Sequence, residues 1–199
     1  MTNAPDVALA DAERRLAEAG AEIAELLAAD LQTYPDRELE RRFFARPEVA
    51  AQLSDAALQQ LRTRAKGLGH TLAVGARERL GVAAPWLELC AADGLPGDCK
   101  DLTQLPSVFG LLGTVGGSRG LVDLAVEGLA EEHGLGGDDR SPAGYQPPKR
   151  FIDRKYLPTL VETVVRHVGA VRALRQKQGE TAAEQQQRSL AARWGKAGG

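Results

Sequence analysis

Aromatic residues are scarce in this chain, which has two Trp, three Tyr and four Phe among 199 residues. Sheets are filled by aromatic and β-branched side chains, so a sheet-rich fold lacks its material here. Cysteine is scarcer still. Cys90 and Cys99 are the only two, and the Gly- and Pro-containing stretch between them fits neither a closely spaced zinc pair nor a redox CxxC. They read as reduced thiols, which excludes a disulfide scaffold. Long apolar runs are absent too, because Arg119 and Asp123 interrupt the most apolar stretch well short of the roughly 20 residues that cross a membrane. Residues 1–14 carry Asp6, Asp11 and Glu13 with no basic leader and no apolar core. They resemble neither a signal peptide nor a transit peptide, and the expected location is cytoplasmic.

What is abundant favours helices. The chain has 32 Ala and 27 Leu, with 19 Arg to 6 Lys, and Ala and Leu are strong helix formers. The length fits one domain able to bury its own core. Most of the 22 Gly and 10 Pro fall between residues 67 and 158, so they punctuate the middle without making the chain disordered. The expected fold is all-α: an irregular bundle of about five to seven helices with a Gly/Pro-rich middle. Residues 1–178 form a single helical domain, and 179–199 a mobile C-terminal tail.

Three long helices stand out. In residues 7–31, Leu9, Leu16, Ile23 and Leu26/Leu27 alternate with Ala12 and Ala19, a seam that permits close approach of a partner helix. Pro35 should end this run, and Asp36 should cap a short helix through Phe44. Residues 54–80 begin at Ser54-Asp55, carry apolar residues three and four apart, and stop at Gly81. Residues 157–178 place Pro158 in the first turn, where proline is tolerated. Between them, a short helix is expected over residues 86–92 and another over 118–132, closed by Gly134. Residues 138–148 read as a loop, and the tail, residues 180–199, offers only Leu190 and Trp194 as anchors.

Net charge is −2, but it is unevenly spread. Residues 149–199 hold 11 basic and 4 acidic side chains, against 14 basic and 23 acidic in residues 1–148. The basic segment therefore either docks on the acidic body or reaches out to nucleic acid or an acidic partner. Its densest part interleaves Lys149, Arg150, Arg154 and Lys155 with Tyr145, Phe151 and Tyr156. Stiff backbone, rings and cations together make these seven the first candidate partner-binding residues. The alternative is that Phe151 and Tyr156 anchor the last helix. A second candidate is the basic stripe of Arg62, Lys66, His70 and Arg77, which share one flank of the helix over 54–80, although such cations also commonly line a solvated flank.

The chemical motifs are incomplete. Residues 110–120 are rich in glycine but lack both the Gly-Lys-Ser/Thr of a phosphate loop and the strand-preceded spacing of a dinucleotide loop; a tight crossing of two helices with a flexible connection explains them. Glu18, Glu22 and Glu25 share a face, as do Asp123, Glu127 and Glu131, yet the paired motifs that hold magnesium are not completed. His70, His133 and His167 do not supply a di-iron pattern. No catalytic residue is assigned, and neither a cofactor nor a metal is implied. The expected function is that of a non-enzymatic helical interaction protein, with a protein partner or a second copy bound through helix faces. A nucleic-acid-associated subunit is the alternative, and an enzyme without a recognisable motif comes third.

Overall fold

The leucine and alanine seam at the start of the chain becomes one face of α1 (Ala4–Leu39), the central helix of an all-helical bundle. The computed structural model describes residues 4–92, 106–135 and 156–195. After α1 come one turn of π-helix (Glu40–Phe44), α2 (Pro47–Ala50), α3 (Asp55–Leu80), α4 (Ala83–Ala92), α5 (Pro106–Glu131) and α6 (Tyr156–Gly195). No strand occurs among the described residues, and no helix among them is long and apolar enough to cross a membrane.

Cross-helix contacts fix the directions. Arg77 on α3 meets Glu25 on α1, and Gly69 lies against Gln32, so α3 runs antiparallel to α1. Arg175 and Gln178 on α6 meet Glu13 and Asp6, so α6 is antiparallel as well. On α5, Arg119, Asp123 and Glu127 meet Asp30, Tyr34 and Arg42 in ascending order, so α5 runs parallel.

The first half of α1 packs Leu16, Ile23 and Leu27 against Val161, Val164 and Val168 of α6 and against Trp86 of α4. Trp86 is fully buried, with its Nε1 donating to the Leu80 carbonyl at 2.9 Å. Arg172 donates to the Cys90 carbonyl at 3.0 Å and so ties the end of α4 to α6. Towards the end of α1, Leu39 and Phe43 pack with Leu61 and Ala65 of α3 and with Val122 and Val126 of α5. The seam anticipated as an external contact is therefore closed within the chain: Ala12, Leu16, Ala19 and Ile23 are all buried in this first cluster.

The boundaries of α3 follow local rules. Ser54 accepts from the Ala57 N–H at 3.2 Å, and Gly81 ends the helix. At the end of α5, Gly134 has φ +72°, the Leu135 N–H reaches the Ala130 carbonyl at 2.9 Å, and Leu135 is buried. This is a glycine-closed helix end of the Schellman type, with its accompanying apolar contact.

Three expectations are corrected. α1 does not stop at Pro35. Proline removes only one helical N–H, the one that would reach Leu31, and the helix continues through it with Leu31 and Leu39 buried on either side. No separate helix then starts at Asp36; the chain continues into the π-turn, closed by the Ala45 N–H on the Glu40 carbonyl at 2.9 Å. The glycine-rich stretch is not a connection between two helices but lies inside α5, where its amides belong to the helix. In addition, α6 continues past residue 178 to Gly195, and its side chains from 179 to 190 are all exposed.

Candidate functional site

The densest gathering of charge lies where the end of α1 meets α5. Asp30 is only 1% exposed and takes Arg37 at 2.6 Å and Arg119 on its second oxygen. Both guanidinium groups also lie over Tyr34, 5.6 and 5.5 Å from its ring centre. The Tyr34 hydroxyl donates to Asp123 at 3.2 Å. Burial, reinforced by the negative charges of Glu38 and Asp123, pushes that hydroxyl up to about 12. The Asp123 carboxyl is also raised, by burial first and by Glu38 second.

One turn on, the π-helix brings Arg42 inward. It is buried, with Glu38 at 3.2 Å, Glu127 at 2.8 Å and Asp123 at 3.5 Å. Glu38 also accepts from Arg41 at 2.8 Å. An inserted residue widens the π-turn, which turns Arg42 towards α5 while Phe43 stays in the core. Charges that would be costly to bury alone are answered by one another, so the lattice fixes the mutual setting of α1 and α5. Arg119 Nε is buried without a partner among the described residues.

Ion pairs take up at least four of the six carboxylates on the acidic faces seen in the sequence. Asp123 and Glu127 meet Arg42, Glu25 meets Arg77, and Glu18 meets Arg14. Among the described residues, no group of three His, Cys, Asp or Glu is placed to hold a metal ion.

The basic stripe on α3 is divided. Arg77 is tied to Glu25 at 2.8 Å, and this pairing holds the glutamate below the usual carboxylate range. His70 is exposed. Arg62 and Lys66 belong to a separate cleft of about 320 Å³, lined also by Asp36, Arg37, Glu40 and Phe44. The Arg62 guanidinium lies 4.8 Å from the Phe44 ring centre. The two carboxylates among these residues make a poor seat for a phosphate backbone. Of the other candidate group, Tyr145, Lys149, Arg150, Phe151, Arg154 and Lys155 lie outside the described residues, as does Cys99, while Tyr156 opens α6.

A third feature is apolar. On the outer face of α5, Leu121 and Leu124 are 66% and 65% exposed. Gly117 and Gly128 fall on the same face, and a Cβ built on either meets nothing within 4 Å. The sequence reading missed both this face and the Tyr34 lattice. Periodicity marks Leu121 and Leu124 as apolar without saying that Val122 and Val126 take the inward positions.

No protein-family model, no curated protein and no solved structure matches the chain.

Proposed function

We propose that the chain is a non-enzymatic helical interaction protein, an adaptor or complex subunit, whose contact surface is the outer face of α5. The exposure of Leu121 and Leu124 carries this reading. Leaving a leucine in water forgoes roughly 1.5 to 3 kcal/mol relative to burial, and a contiguous exposed apolar patch marks a contact surface. The paired charges of the Tyr34 lattice support a structural use for the only deeply buried ionic cluster among the described residues.

The pattern favours a second copy of the chain as partner. Gly117, Leu121, Leu124 and Gly128 are spaced four, three and four residues apart, an order that reads identically in both directions. Two α5 helices crossing antiparallel therefore set leucine against leucine and glycine against glycine, as a two-fold contact requires. The glycines allow the backbones to come close.

Light scattering on the purified chain tests this. The wild type should show two chains per particle and the Leu121→Glu/Leu124→Glu variant one, with helical content unchanged because both positions are exposed. A wild type that stays monomeric at all concentrations, or a variant that dimerises equally well, contradicts the reading.

A further inference from the structure

The antiparallel register that sets Glu25 on Arg77 and Gln32 by Gly69 brings Asp36 to the level of Lys66 and Glu40 to that of Arg62. Three other surface carboxylates that face a cation of another helix pair with it. Arg77 and Glu25 stand at 2.8 Å, Arg64 and Glu132 at 2.6 Å, and Arg175 and Glu13 at 2.6 Å. At the cleft, among the described residues, no ion pair or hydrogen bond joins Asp36 or Glu40 to Arg62 or Lys66. An open volume of about 320 Å³ lies between them.

We propose that this cleft binds a small zwitterion, its ammonium against Asp36 and Glu40 and its carboxylate against Arg62 and Lys66. A simple anion would meet two carboxylates, and a simple cation would meet Arg62 and Lys66 as well as Arg37, which is itself tied to Asp30 at 2.6 Å. A ligand bearing both charges completes both walls at once. Stacking on Phe44 fixes the plane of the Arg62 guanidinium and leaves its edge N–H groups to donate to a carboxylate. The rest of the Phe44 ring offers an apolar surface for a short side chain. The volume is at the lower end of ligand clefts, which suits a free amino acid and excludes a folded peptide. Burial raises the Asp36 carboxyl, and the charges of Lys66 and Arg62 offset this only in part, so an ammonium in the cleft supplies what the carboxylate lacks. The widened π-turn places Glu40 and Phe44 together on the cleft while Arg42 between them points to α5.

Amide chemical shifts of the full chain, titrated with L-leucine, N-acetyl-L-leucine and L-leucinamide, test the proposal. L-leucine should shift the amides of residues 36–44 and 62–66 saturably, with a dissociation constant on the order of 1 mM. Each analogue lacks one charge and should bind about fivefold more weakly, the ratio expected for one exposed ion pair. Asp36→Asn should weaken L-leucine without weakening N-acetyl-L-leucine, and Lys66→Gln should weaken L-leucine without weakening L-leucinamide. The same spectra report that the variants are folded. No saturable shift with L-leucine overturns the proposal, and so does equal binding of all three compounds or indifference to both substitutions.

Discussion

At the scale of single residues, the crossing of α1 and α3 turns on one missing methyl group. A Cβ on Gly69 would sit 2.2 Å from the Gln32 carbonyl oxygen, whereas one on Gly67, two residues earlier, meets nothing within 4 Å. The two positions share a helix and differ only in what faces them. Gly69→Ala should therefore cost about 1 to 3 kcal/mol by forcing the helices apart. Gly67→Ala should gain about 0.5 to 1 kcal/mol by lowering backbone freedom in the unfolded chain. Urea unfolding of both variants checks the contrast, and the same sign for both would contradict the packing described.

Tyr34 supplies a second residue-scale outcome. Its hydroxyl is raised from 10.0 to about 12 in the folded chain. Between those values the unfolded chain has lost a proton that the folded chain keeps, so Tyr34 makes stability fall as pH rises above about 10. In Tyr34→Phe this contribution is gone. The melting temperature of the variant should decline less steeply than that of the wild type between pH 10 and 11.5. Parallel declines would mean that burial, with Glu38 and Asp123 beside it, does not hold the proton on Tyr34.

At the scale of elements, α6 is two different helices in one. Up to Val171 it buries valines against α1, and its last cross-helix hydrogen bond joins Gln178 to Asp6. From residue 179 to 190 every side chain is exposed. Helices without a packed face are marginal in water, so this end depends on its own weak propensity and on pairs such as Arg188 with Glu184 at 3.8 Å. Trypsin should cut at Arg188 long before it cuts at Arg166 or Arg172, and it should leave the melting temperature of the remainder unchanged. Equal resistance at all three sites would show that the end of α6 is held by something besides itself.

The elements also show what the sequence discloses and what it hides. The boundaries of α3 are legible because Ser54 and Gly81 act locally. The continuation of α1 through Pro35 is not, because it goes with the packing of Leu31 and Leu39 against residues far along the chain. The seam of Leu16 and Ile23 was readable as a helix contact, but which helix fills it depends on α6, more than 130 residues further along. For the same reason the basic stripe looked continuous. Its division into Arg77 on Glu25 and Arg62 with Lys66 across from Asp36 arises only when α1 is laid against α3.

At the scale of the molecule, α1 is enclosed by α3, α5 and α6, and its buried charges are satisfied from within. Among the described residues the two most exposed large apolar side chains are Leu121 and Leu124, framed by glycine, and the proposed function requires that face to meet its own copy. An isotope-filtered NOE experiment on a one-to-one mixture of carbon-13-labelled and unlabelled chains tests this most directly. Inter-chain contacts are expected between the methyl groups of Leu121 and Leu124. Their absence at concentrations where the chain is dimeric, or inter-chain contacts confined to other surfaces, would contradict it.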